Sequence, residues 1–232
     1  MPFFYYYDPY YWMLLVPAML IALLAQLNVS STFNRYSGVA ARRGLTGAQA
    51  AEAVLRSHGV YGVRIERVSG RLSDHYDPRS NVIRLSDSVY GSTSVASLGV
   101  AAHEAGHAVQ YAQGYGPVRL RTAIIPVCNI GSQLSIILII LGLVLYFPAL
   151  FGVGVILFAV AVFGQLVTLP VEFNASSRAM ASLRDTGLLD EEELRGARKV
   201  LTAAAMTYVA ALLVSIAQLL RFLLAFAGRR RD

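Results

Sequence analysis

The sequence predicts a mainly α membrane protein: about four membrane-spanning helices and a small α+β region outside the bilayer. Three observations lead there. Hydrophobic residues make up 56% of the 232 residues and charged residues only 15%, against about 25% charged in an ordinary soluble domain. The apolar residues fall in long blocks. Two polar segments between those blocks carry helix and strand signals of their own. Disorder is excluded, because disordered chains are poor in apolar residues. The formal net charge is +6. Spread along the chain, it fits the basic loops of a membrane protein, and no nucleic-acid partner is expected.

A bilayer-spanning helix needs about 20 apolar residues, and four stretches approach this. The first is 11–27. The second and third, 123–147 and 151–169, form a hairpin turning at Pro148. The fourth, 201–220, extends toward 227, with Arg221 placed to snorkel to the interface. Residues 1–8 hold no Lys or Arg and no A-x-A cleavage site follows, so the first span is expected to be an uncleaved anchor. Tyr5, Tyr6, Tyr7, Tyr10, Tyr11 and Trp12 resemble an interfacial aromatic belt. The organisation expected is 1–27 belt and first span, 28–122 polar catalytic region, 123–169 hairpin, 170–200 polar segment, and 201–232 fourth span with a basic tail.

In the first polar segment, Thr46 and Gln49 fit a capping box opening a helix to Ser57, and Gly59 fits its stop. Residues 61–68 alternate and are β-branched, as in a strand. Asn81, Val82, Ile83, Arg84 and Leu85 form a second strand signal after the turn Asp77-Pro78. This strand is a candidate edge for holding an extended peptide by backbone pairing. Residues 92–113 read as a helix rich in small residues. In the second polar segment, Asp190 with Glu193 marks another helix start, with Glu191, Glu192 and Glu193 as its solvated first turn.

The chemistry concentrates in His103-Glu104-Ala105-Gly106-His107, an H-E-x-x-H motif. Four residues apart on a helix, both imidazoles face one side and can bind one Zn²⁺. Glu104 is placed to accept a proton from water at that ion. Chance placement of the chain's histidines and glutamates gives about 0.002 such matches. The run 95–113 holds no other charge, and a glutamate and two histidines in an apolar helix are costly without a purpose. The single cysteine, Cys128, excludes a thiolate cluster, so a metal must use His and carboxylate.

A catalytic zinc needs a third protein ligand and an open fourth position. Glu172 is the leading candidate and His75 the alternative, while His58 fits a helix C-cap. Small residues flank Glu172 at Ala175, Ser176 and Ala179, and the motif helix shows Gly99, Ala102 and Gly106, so the two helices can approach closely. Two spans separate His107 from Glu172, which returns both polar segments to one side. Candidates for oxyanion stabilisation or support of the ligands are Arg178, Asn174, Tyr111, Tyr76 and His75.

Several strings resemble the YugP-type bacterial membrane zinc metallopeptidases. They are Asp74-His75-Tyr76-Asp77-Pro78-Arg79, Ile83-Arg84-Leu85-Ser86, Ala101 to Gln110, and Pro170-Val171-Glu172-Phe173-Asn174-Ala175. The resemblance covers nearly the whole chain. The E-x-x-A piece also resembles the glutamate helix of gluzincin proteases. This implies a gluzincin-like catalytic domain, one zinc per chain on His103, His107 and Glu172, and Glu104 as general base. Related membrane proteases often carry Asp where this chain has Ser176, so that residue's supporting role does not transfer.

The function expected is a membrane-embedded zinc endopeptidase acting on membrane-associated or misfolded polypeptides. An intramembrane-cleaving protease is the alternative within the class, and a non-catalytic zinc-binding scaffold the alternative outside it. A metal transporter is disfavoured, because the spans lack paired ionisable residues. The polar segments hold eleven and five Lys/Arg residues, and positive-inside reasoning places the catalytic side of this multi-pass protein in the cytoplasm.

Overall fold

The computed structural model describes residues 9–229, apart from the side chains of 225–229. Tyr5, Tyr6 and Tyr7 of the aromatic belt, and Arg230 and Arg231 of the tail, lie outside the described residues. A π-helical turn, Tyr11–Leu15, leads into α1 (Val16–Ser37). Then follow α2 (Gly47–Ser57), β1 (Arg64–Val68), β2 (His75–Asp77), β3 (Val82–Ser86), α3 (Asp87–Tyr90), α4 (Val95–Ala112), α5 (Gly116–Val144), α6 (Pro148–Asp185) and α7 (Glu191–Arg229). Among the described residues four helices, α1 with its leading turn, α5, α6 and α7, are long and apolar enough to cross a membrane. The fold is that of a mainly α membrane protein with one small sheet.

Two compact units divide the chain. One gathers Met1–Gln26, Leu120–Thr168 and Thr207–Asp232, and the other Leu27–Arg119 and Leu169–Met206. Every boundary between them falls inside a helix, in α1, α5, α6 and α7.

The first unit is an apolar bundle. Ile130, Ile137, Ile156 and Phe163 are exposed on it, a surface costly in water but natural against lipid. Lipid offers no hydrophobic drive between helices, so close packing of small residues holds them. A methyl on Gly154 of α6 would lie 2.9 Å from the Ile139 amide and the Ser135 carbonyl of α5. The Cys128 thiol of α5 donates to the Val160 carbonyl of α6 at 3.4 Å. On the same unit, the Arg221 guanidinium lies 5.2 Å from the Tyr11 ring centroid.

Proline can open a helix, but Pro170 does not. It lies inside α6, which continues from the third apolar stretch to Asp185. Proline removes one backbone bond, and helices of membrane proteins tolerate this where neighbouring groups compensate.

The second unit is a small α+β structure. Thr46 caps α2 with the full capping box: its side chain accepts from the Gln49 amide at 3.3 Å, and Gln49 Oε1 accepts from the Thr46 amide at 2.9 Å. His58 is the C-cap, its Nε2 lies 2.8 Å from Ser182 Oγ, and Gly59 follows at φ 67°. At the start of α7, Asp190 Oδ1 accepts from the amides of Glu192 and Glu193 at 2.9 Å each. Glu191 and Glu192 are solvated, but Glu193 is buried and accepts from the Arg42 amide at 2.7 Å.

The strand order is β1-β3-β2, with β3 parallel to β1 and antiparallel to β2. This corrects the reading of Asn81, Val82, Ile83, Arg84 and Leu85 as an edge strand. Val82, Ile83 and Leu85 are all fully buried, so β3 is apolar on both faces, as an interior strand must be. Asn81 takes φ 53° just before it, and its amide donates to the Gly62 carbonyl. The short β2 is a free edge, in a place where the sequence suggests only a turn. Its His75–Asp77 register is set by pairing with Val82 to Arg84. On the sheet lies α4, buried along most of its length.

Asp77 closes the turn between β2 and β3. Its carboxylate accepts from the Ser80 hydroxyl at 2.6 Å and the Arg79 amide at 3.0 Å. Those bonds hold its pKa down, from 3.8 to about 2. A carboxyl lowered on folding supports the fold above its unfolded pKa and loses that support as pH falls through the folded one. Asp77→Asn should therefore lower the thermal midpoint of the detergent-solubilised protein at about pH 5, with the two midpoints converging toward pH 2. A constant gap across that range would refute the assignment.

Candidate metal centre

All three proposed ligands lie in the second unit. His103 and His107 sit one turn apart on α4, with ring centroids 4.7 Å apart and planes at 84°. Glu172 comes from the first turn of α6 beyond Pro170 and is almost wholly buried, at 2% exposure. Its Oε2 lies 3.4 Å from His103 Nε2 and 3.6 Å from His107 Nε2. A tetrahedral zinc with bonds of about 2.0–2.1 Å spaces its ligand atoms about 3.3 Å apart. The two carboxylate–imidazole distances match that spacing, and the three ligand atoms all lie within 4.8 Å of one another, a group that could hold one ion. Among the described residues this is the one cluster of its kind.

The approach that brings α6 to α4 has a steric origin. A methyl on Gly106, between the two histidines, would lie 2.8 Å from the Ala175 carbonyl oxygen. Ala175 and Ala179 are fully buried along the same seam. Gly99 faces Ala197 of α7 instead, so the small residues of α4 serve two neighbours.

Hydrogen bonds fix the orientation of the rings. The Gln110 amide nitrogen donates to the Val171 carbonyl at 2.8 Å and to Asn174 Oδ1 at 2.9 Å. A backbone carbonyl only accepts, so Gln110 must turn its own oxygen toward His107, where it lies 3.1 Å from Nδ1. Nδ1 then carries a proton, which leaves Nε2 for a metal. His103 Nδ1 lies 3.1 Å from Ser176 Oγ. Ser176 therefore supports the His103 ring, a role the sequence reading did not grant it. Burial disfavours charge on His107, but the Glu172 carboxylate at 3.6 Å and the charge of Glu104 outweigh this and raise its pKa.

Glu104 is 8% exposed, and among the described residues its carboxylate has no hydrogen-bonding side chain or amide. Asp74 lies near enough to feel its charge. Burial pushes the Asp74 carboxyl up, against hydrogen bonds from the Ser86 amide at 2.7 Å and hydroxyl at 3.0 Å, and Glu104 adds to the push.

The remaining candidates fall into three groups. Arg178 and Asn174 are brought to the centre as braces: Arg178 donates to Asn174 Oδ1 at 2.7 Å and to Gln113 Oε1 at 2.5 Å. Tyr76 and Tyr111 pack edge to face at 5.5 Å, and the Tyr76 hydroxyl donates to Asn81. His75 is exposed, with Nδ1 2.8 Å from the Ser73 carbonyl, and stands outside the ligand cluster. Sequence reasoning missed Gln110 as a brace. Its spacing of three from His107, in an otherwise apolar helix, was the available signal.

Residues 11–227 match the family described as "Putative neutral zinc metallopeptidase". The chain belongs to that family. It is also 47% identical over 219 residues to "Putative membrane protease YugP" of Bacillus subtilis (strain 168), covering 94% of this chain and 97% of that protein. No solved structure matches the chain. The zinc metallopeptidase family implies zinc, and the donor set of two imidazoles and a carboxylate suits that ion.

Because Gly106 sets the spacing of the two ligand helices, Gly106→Ala should cost about 1–3 kcal/mol through overpacking. It should also weaken zinc retention at least about tenfold, since a displaced Glu172 leaves a two-histidine site. Zinc content after dialysis, beside the thermal midpoint, checks both. Normal zinc content in a folded Gly106→Ala protein would reject this account of the seam.

Proposed function

We propose that this protein is a membrane-embedded zinc endopeptidase of gluzincin type that hydrolyses peptide bonds of membrane-associated or misfolded proteins. The observation that carries the reading is the convergence of His103 Nε2, His107 Nε2 and Glu172 Oε2 within 4.8 Å of one another. These residues would hold one zinc ion per chain. Zinc bound there supplies Lewis acidity, which acidifies water and polarises a carbonyl.

Glu104 acts as general base. Its carboxylate is buried and bonded to no donor among the described residues, so it is ready to accept a proton. It takes the proton as the water oxygen attacks the scissile carbonyl carbon. It returns that proton to the amine nitrogen as the C–N bond breaks. Gln110 and Ser176 keep the two rings aimed, and Arg178 and Asn174 hold Gln110. The Tyr76 and Tyr111 pair is the source we assign for a donor to the developing oxyanion, Tyr76 by turning its hydroxyl away from Asn81. The free edge of β2, beside α4, takes the role of backbone partner for an extended substrate.

The site's surroundings favour cleavage outside the hydrocarbon layer over the intramembrane alternative. Although α4 is nearly apolar, α2, the sheet and α7 cover it within the polar unit. A helix apolar all round is explained equally by a protein core. A structural zinc scaffold would gain nothing from an unbonded Glu104. The excess of basic residues in the two polar segments supports a cytoplasmic active face.

Glu104→Gln should keep its zinc and lose at least about a hundredfold in hydrolysis of an unfolded protein such as casein. Chelation should abolish wild-type activity, with recovery on adding zinc. Full activity in Glu104→Gln would sink the mechanism. For orientation, a cysteine placed by Arg79→Cys should react with a membrane-impermeant maleimide in inside-out vesicles and not in intact cells. Labelling of intact cells would place the active face outside.

A further inference from the structure

A second site lies in the polar unit, apart from the metal centre, and nothing in the peptidase reading depends on it. Between α1 and α7 opens a cleft of about 390 Å³. Arg35 and Tyr36 line it from α1, and Arg198 and Lys199 from α7. Asn28, Thr32 and Thr202 add polar groups, and Ala203 and Met206 an apolar end.

Its charge is one-sided. Six arginines elsewhere in the polar unit, Arg42, Arg56, Arg64, Arg67, Arg84 and Arg184, pair with carboxylates, Arg43, Arg71 and Arg178 donate to neutral acceptors, and Arg79, Arg119 and Arg195 stand without an ion pair among the described residues. Arg35, Arg198 and Lys199 form no ion pair among the described residues, and no carboxylate lines the cleft. All three are exposed, and like charges set around one cleft favour an anion there. Arginine, lysine and the Thr202 hydroxyl make a donor set suited to phosphate, while the Thr32 hydroxyl donates to Asn28 Oδ1 at 3.5 Å.

The depth of the cleft selects the source of that phosphate. The two helices run antiparallel, since a methyl on Gly196 would touch the Tyr36 ring. Asn28 and Met206 therefore mark the same end. There α1 passes into an apolar stretch with exposed Leu20, Leu23, Leu24 and Leu27, and α7 into one with exposed Leu213 and Leu220. The cations stand seven or eight residues further out, about 10–12 Å along the helix. The polar layer of a bilayer is about 5–8 Å deep on each side, so side chains of this length reach into it. Basic pockets at the ends of membrane helices bind anionic lipid headgroups.

We infer that this cleft binds the phosphate of an anionic phospholipid headgroup, with the acyl chains leaving along the apolar end at Ala203 and Met206. The test is native mass spectrometry of the full chain released from neutral detergent, with added phosphatidylglycerol, phosphatidylcholine or inorganic phosphate. Phosphatidylglycerol should be retained in preference to phosphatidylcholine, and millimolar inorganic phosphate should not displace it. The variant with Arg35→Gln, Arg198→Gln and Lys199→Gln together should retain at least about fivefold less, while Arg64→Gln on β1 should retain as much as the parent. Should the triple variant fail to fold, Arg35→Gln and Lys199→Gln singly should each lower retention about twofold. Equal retention of both lipids, displacement by inorganic phosphate, or unchanged retention in the variants would overturn the inference.

Discussion

Where α4 crosses α6, the two backbones approach until one added methyl at Gly106 would press on the Ala175 carbonyl. The rest of the centre depends on that closeness. Glu172 lies one turn before Ala175 on α6, and His103 and His107 flank Gly106 on α4. The crossing point and the ligand cluster are therefore the same place. A separation greater by the width of a side chain would leave two imidazoles and a distant carboxylate. The approach is possible because Ala175 and Ala179 offer no bulk on the facing side.

Closeness alone does not make ligands of the three side chains. Their donor and acceptor atoms must also point the right way, and the same crossing provides for this. The Val171 carbonyl of α6 admits only a donor, so the Gln110 amide has one permitted orientation. That choice passes to His107 as a proton on Nδ1. Asn174 and Arg178 secure the amide from the other side. The polarity of a backbone carbonyl thus sets the chemistry of an imidazole nitrogen two bonds of the network away.

Features governed by neighbours in sequence were legible before the structure. The Thr46–Gln49 capping box and the Asp190 cap need only a few residues of context, and both form as read. The histidine spacing and the small faces beside Glu172 are helical periodicities of the same local kind. Strand order is not local. Asn81 to Leu85 looked like an edge because a peptide could pair there. Yet Val82, Ile83 and Leu85 make the strand apolar on both faces, and β1 and β2 take its two sides. The three residues of β2 have no periodicity to read, because pairing with β3 makes them a strand. Proline is a general helix breaker, yet α6 passes through Pro170. The partners of Gln110 and Ser176 depend on how two distant helices cross, which no single-helix pattern reports.

The seams between the two units have a practical meaning. Each falls within continuous helix, in α1, α5, α6 and α7, rather than in a loop. Shortening the chain at any of them would cut a ladder of backbone bonds and expose four carbonyls and four amides at the new ends. A fragment carrying the ligand cluster would also have to join two separate stretches, 27–119 and 169–206. Biochemistry on this protein has to be done with its lipid-embedded portion attached.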